Sequence, residues 1–167
     1  TLEATRLNSI IETLEKGIDE IDASSYSVAM DALMQNRLNE ISNEINSEYL
    51  YGIGDIYSSF VVSFSSEKLT KNFIYKNDII DFRNGSLALA INEEKLESIL
   101  QKTNTYLGAL YTELPSSDFP YLVSAREIRH YINADLKYLG TLIFITSIDD
   151  ILDSNKNEST TFLFNTD

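Results

Sequence analysis

Leu142-Ile143-Phe144-Ile145 is apolar on both parities of a strand, so a strand built here needs a covering layer above and below it. It belongs to a run from Gly140 to Ile148 that is rich in β-branched and apolar residues on both parities. Upstream, Leu122, Ser124, Arg126 and Ile128 alternate with Tyr121, Val123, Ala125, Glu127 and Arg129, the two-residue period of a strand with two distinct faces. Asn133-Ala134-Asp135 separates the two runs as a turn. The expectation is a central antiparallel hairpin that the rest of the chain is arranged to cover.

The covering material is helical. Leu7, Ile10, Ile11, Leu14, Ile18 and Ile21 recur at three and four residues, one stripe of an amphipathic helix. Asp22-Ala23-Ser24-Ser25 either divides this helix from a second one or interrupts a single rod. From Tyr26 to about Leu50 the stripe resumes as Met30, Leu33, Met34, Leu38, Ile41 and Ile45, close to a heptad repeat and compatible with packing on the sheet or with a dimer seam. Residues 1–50 therefore read as a helical arm and 51–167 as the core it serves, the two forming one globular unit.

Within that core, Ile56 to Phe64 has the composition of a first strand and Asn72 to Tyr75 that of a short second one. Asn84-Gly85 marks a turn, and Ser86 to Leu114 carries a helical pattern with Asn92-Glu93-Glu94 at its N-terminus. Pro115 to Asp118 is a loop before the hairpin, and Thr160 to Phe164 reads as a last strand. The whole predicts an α+β fold: one antiparallel sheet with the long N-terminal helix on one face and the capping helices on the other. Both ends of the chain read as cut from a longer protein.

Composition narrows the function. Thirteen basic against twenty-six acidic residues give a net charge of −13, which opposes any phosphate backbone and disfavours nucleic acid as a partner. The chain has no cysteine and one histidine, so a metal site would have to be assembled largely from carboxylates. Asp149, Asp150 and Asp153 cluster, but the glycine and terminal glutamate of a calcium loop are missing, and a helix cap accounts for them. No nucleophile elbow, phosphate loop or dinucleotide fingerprint occurs, so no catalytic residue, metal or cofactor is expected and the domain reads as non-catalytic.

The most informative single residue is Arg126. It shares a strand face with Leu122 and Ile128, and a guanidinium on a part-apolar face requires a carboxylate or another bidentate acceptor. That acceptor is either an internal acid or a ligand. Tyr106, Tyr111 and Tyr121 fall near the expected cap and have the ring faces and hydroxyls to line a pocket, though tyrosines also serve as core filler. The candidate ligand-binding set is thus Arg126, Tyr111, Tyr121 and Tyr106. His130, beside a strand end, reads as structural.

The order of a long helix, an IYSSFVVSFSS strand, helices, YLVSAREIRHY and then LGTLIFITSIDDIL resembles the extracytoplasmic sensor region of Gram-positive histidine kinases of the YesM/LytS-like group. Those regions are Cache domains, PAS-like in fold. The resemblance implies a sensor on the outer face of the cell membrane, a kinase module elsewhere in the protein, and a signal passed through the N-terminal helix. It implies a small-molecule or peptide ligand, or a membrane co-receptor, and a membrane homodimer. The tryptophan of the amino-acid-binding Cache signature has no counterpart, since the chain has none. The competing expectation is a dimerisation or interaction module without a pocket.

Overall fold

The computed structural model describes residues 1–43, 71–76, 80–81, 91–149 and 151–152. Helix α1 runs from Leu2 to Ala29 without interruption. Thr1 caps it, its hydroxyl accepting the Ala4 N–H at 3.3 Å. Asp22 to Ser25 does not break the rod, because the buried stripe passes straight through it as Ile21, Ser25 and Val28, spaced at four and three. The Ser25 hydroxyl turns back onto its own helix and donates to the Asp22 carbonyl at 3.0 Å instead of capping a new one.

The break comes later, at Met30 and Asp31. There the Asp31 carboxylate accepts the Met34 N–H at 2.8 Å and opens helix α2, Ala32–Asn43. Gln35 closes the corner by donating from Nε2 to the Ala29 carbonyl at 2.6 Å. Of the second stripe's described side chains, Met34 and Leu38 are buried while Met30 and Leu33 stay exposed.

Among the described residues the sheet has five antiparallel strands in the order β2-β1-β5-β4-β3. They are β1 Lys71–Lys76, β2 Ile80–Asp81, β3 Tyr111–Glu113, β4 Leu122–Ile132 and β5 Asp135–Thr146. Strands β4 and β5 form the long central hairpin, with Ala125 opposite Ile143 and Arg126 opposite Leu142. The expected central strand is real but displaced. β5 starts five residues before Gly140 and ends at Thr146, and Ile148 already lies in a helical turn. The expected strands at Ile56 to Phe64 and Thr160 to Phe164, and the turn at Asn84-Gly85, lie outside the described residues.

Both faces of the hairpin are covered, as its doubly apolar sequence requires. On one face Leu122, Ile128, Leu142 and Phe144 are buried under α1 and α2. On the other, Val123, Ala125, Ile143 and Ile145 pack with Leu96 and Ile99 of helix α3, Glu93–Asn104. The molecule is therefore α+β. Asn92 caps α3, its side chain accepting the Lys95 N–H at 2.8 Å, with Glu93 and Glu94 in the first turn where the helix dipole favours them.

The helical expectation for Ser86 to Leu114 is corrected at its C-terminal end. The helix stops at Asn104, where the Thr105 hydroxyl donates to the Lys102 carbonyl at 2.7 Å. Leu107 and Gly108 then adopt left-handed backbone, φ 51° and 89°, which no α-helix continues through. Tyr111 to Glu113 pairs with Ala125 to Val123 as an edge strand, so the Tyr106, Leu107, Leu110 spacing is that of a loop.

The hairpin turn carries its own strain. Asn133 and Ala134 both have positive φ, 52° and 70°, the requirement of a two-residue turn matched to strand twist. Asparagine tolerates this conformation and alanine does not. Ala134→Gly should therefore stabilise the protein by about 0.5–1 kcal/mol, the relief of strain exceeding the added freedom of the unfolded chain. A urea midpoint that stays put or falls would contradict this turn geometry.

Candidate binding cleft

Arg126 is almost fully buried on the α1 face of β4, the face it shares with Leu122 and Ile128. Its acceptors here are internal. Nε donates to the Ser25 hydroxyl at 3.0 Å, Nη1 to the Gly108 carbonyl at 2.7 Å, and Nη2 to the Asp22 carboxylate and carbonyl, the latter at 3.4 Å. The Tyr26 ring lies 5.7 Å from the guanidinium carbon, within cation–π range. One side chain thus joins helix α1, strand β4 and the loop after α3. Asp22 is 56% exposed, so water screens its half of the ion pair. The buried Ser25 and the Gly108 carbonyl are the partners that depend on Arg126 most.

Two clefts meet at this residue. One, of about 480 Å³, lies between the α1–α2 corner, with Tyr26, Ala29, Met30 and Gln35, and the outer part of β4, with Arg126, Glu127, Arg129 and His130. Leu107 and Gly108 form a further wall. The other, of about 620 Å³, is bordered by Asp22, Ala23, Tyr26, Ala109 and Leu110. Arg126 and Tyr26 line both. The clefts exist because β3 pairs only with Val123 to Ala125, which leaves the rest of β4 flanked by a loop instead of a strand.

The expected binding set does not converge. Tyr111 sits opposite Ala125, in the core between the sheet and α3, and its hydroxyl donates to Glu113. Tyr121 is half-buried on the same face, edge-on to Phe119 at 5.3 Å, and Tyr106 packs edge-on to Tyr111 at 5.2 Å. None of the three borders either cleft, whereas Arg126 lies on the opposite face and borders both. Sequence reasoning missed Asp22, Tyr26, Leu107, Gly108 and Arg129. A usable signal existed for the first two: Asp22, Ser25 and Tyr26 recur at three and four residues, with Ser25 in the apolar stripe as a polar mate for a buried arginine. His130, read as structural, borders the smaller cleft.

The α3 face holds a different cluster. Glu113 accepts from Lys95, from Lys102 at 3.0 Å and from Tyr111, tying β3 to α3. Burial would raise its carboxyl, but the bonds from Lys95, Tyr111 and Lys102 outweigh it and hold the group at about 2. Burial, and then the neighbouring Glu113 carboxylate, push the Tyr111 phenol above its ordinary value. Lys95 also lies 5.0 Å from the centre of the Phe119 ring. Every group in this cluster has a partner, which makes it a clasp. Among the described residues no three histidine, aspartate or glutamate side chains come together as a metal site.

No protein-family model and no curated protein matches the chain.

Two predictions test this account. Arg126→Ala should cost about 2–3 kcal/mol in urea melts, less than a fully buried pair would, because Asp22 can rehydrate. Arg126→Lys should recover under half of that, since one ammonium cannot serve Ser25, Gly108 and Asp22 together; a lysine variant as stable as the parent would remove the planar group from the explanation.

For Glu113 the folded value lies below the ordinary carboxyl value of 4.5, so the clasp stabilises fully above that pH and weakens as pH falls toward about 2. Over that window the parent should lose about 2 kcal/mol that Glu113→Gln does not lose. Parallel acid melts of the two proteins would disprove the clasp.

Proposed function

We propose that this chain is a PAS-like, extracytoplasmic signal-sensing domain of a membrane sensor histidine kinase of the Cache type, non-catalytic itself, with its kinase module elsewhere in the protein. The observation that carries this reading is the position of Arg126 and Tyr26 on both clefts, where one wall is the N-terminal helix and the other is the sheet. A ligand lodged between them touches the helical arm and the rigid hairpin at once. Any rearrangement of the Arg126 contacts then alters how α1 is held, and α1 is the element through which a signal would leave the domain. The ligand is a small molecule or peptide, with a membrane co-receptor as the other class of partner. The intact protein works as a membrane homodimer on the outer face of the cell.

A second reading has its own support. The N-terminal half of α1 carries Leu2, Leu7 and Ile11 as exposed apolar side chains, as a pure dimerisation module would. The two differ in whether anything small binds. Thermal-shift screening against sugars, peptides, amino acids and organic acids should yield one class that raises stability by about 2.7 kcal/mol at a hundred times its dissociation constant. Loss of that shift in Tyr26→Ala, with the melting temperature of the free protein little changed, would place the ligand in the cleft. A panel with no hit, together with a dimer that persists at nanomolar concentration in sedimentation, would favour the interaction module instead.

A further inference from the structure

The hairpin turn decides which way the main chain of β4 points. With only Asn133 and Ala134 in the turn, Ile132 and Asp135 are the closing hydrogen-bonded pair, so Ile132 directs its N–H and C=O at β5. Counting back by twos, His130, Ile128 and Arg126 do the same, and the residues between them direct theirs to the opposite side. Two observations agree. Val123 and Ala125, of the outward set, sit opposite Glu113 and Tyr111 of β3, and Ile128, of the inward set, is entirely buried, main chain included. β3 stops at Ala125. Beyond it Glu127 and Arg129 turn their main-chain N–H and C=O outward, and no partner meets them there among the described residues.

The smaller cleft runs along this open edge. Arg126 and His130 leave β4 on the α1 side and Glu127 and Arg129 on the α3 side, yet all four border the same cleft. A cavity bordered by both parities of one strand faces its edge. The charged side chains around it are already matched, Arg126 with Asp22 and Arg129 with Glu127, so what stays unmet at the edge is backbone. The rim is apolar, with Tyr26, Met30 and Leu107 all exposed. Leu107 is 74% exposed and held at φ 51°, a strained conformation for a leucine that fills no core. That placement suits a surface that something else covers.

We infer that the open edge of β4 takes a short extended peptide, which adds as a strand in line with β3 and bonds the main chain of Glu127 and Arg129 with its own. The inference rests on the sensing reading and narrows its partner to a peptide held by its backbone instead of by a charged end. In strand addition the main-chain bonds give affinity and alternate side chains give specificity. The alternate side chains on the α1 side lie against Tyr26, Met30 and Leu107, so apolar residues fit there, and the matched charges favour an uncharged peptide. A second copy of this chain fits poorly. Its own β4 edge is recessed between the α1–α2 corner and Leu107, so two such edges do not reach bonding distance.

Amide exchange followed by NMR on the whole domain would use two capped pentapeptides, acetyl-Thr-Val-Leu-Val-Thr-amide and acetyl-Thr-Val-Phe-Val-Thr-amide. Saturating peptide should slow exchange at the Glu127 and Arg129 amides by about tenfold or more. N-methylation of the peptide separates edge pairing from apolar contact. Methyl groups on the second and fourth nitrogens, or on the third and fifth, should have opposite results: one series loses about tenfold in affinity and the other keeps it, because only one side of the peptide faces β4. Leu107→Gly and Met30→Ser alter exposed side chains, and each should weaken binding several-fold with the circular dichroism spectrum unchanged.

Equal binding by both N-methylated series, binding that leaves the Glu127 and Arg129 amides unprotected, or no binding by either pentapeptide would overturn the inference. Protection that appears without peptide as protein concentration rises, together with a dimer in sedimentation, would give the edge to a second copy and overturn it as well. The sensing reading fails separately. A small molecule that raises stability while both pentapeptides stay silent leaves sensing in place and the peptide wrong, whereas silence from the screening panel and the pentapeptides takes both.

Discussion

The Arg126 guanidinium is the constraint to which the rest of this molecule answers. A cation on the buried face of a central strand is tolerated only if its donors are met, and no neighbouring strand residue meets them. Helix α1 supplies Ser25 and Asp22, and the loop after α3 supplies the Gly108 carbonyl. The helix must therefore cross β4 with that one turn facing inward. The loop must also approach closely enough to present a carbonyl, and it does so through left-handed backbone at Leu107 and Gly108. A single side chain thereby sets the rotation of one element and the path of another.

The two faces of the sheet are built on different physics as a result. The α3 face is an apolar core of branched aliphatic and aromatic residues closed at its edge by the Glu113 clasp, and burial there is non-directional. The α1 face has a polar seam through its middle, and its geometry depends on directional bonds. Apolar layers tolerate small shifts, whereas a planar group shared by three partners does not. The clefts open along the seam, where packing gives way to hydrogen bonding.

How much of this was legible in the sequence follows the same division. The central hairpin, the long first helix, the parity of Arg126 and the two-sided cover all rest on local periodicity, which survives folding. The α3–β3 junction did not come through. Tyr106, Leu107 and Leu110 have helical spacing, and nothing local announces that Leu107 takes a left-handed backbone. The expected binding set is divided between the two faces for a related reason. Tyr111 and Arg126 lie fifteen residues apart in the chain, yet strand alternation sends them to opposite sides of the sheet, and only the β3–β4 register reveals it. The partners of Arg126 lie more than a hundred residues away on α1, beyond the reach of any pattern window.

One irregularity in the hairpin has a consequence for how such a chain can change. Between Ile128 and Arg129 the register slips, so that Leu139 is an extra residue in β5. Beyond that point every β5 side chain is inverted relative to an unbroken ladder. Tyr138 turns to the α3 side and bonds Thr141 at 2.7 Å, and Lys137 turns to the other and reaches Asn39 of α2 at 3.1 Å. Leu139 acts as a phase shifter. Removing that one residue would leave Tyr138 opposite Arg129 in a regular ladder, so every pairing on both sides of the joint would survive. The extra residue lets two stretches of β5 whose side-chain patterns are out of phase in sequence meet the same two faces, so the tip and the body of the hairpin need not share one alternation.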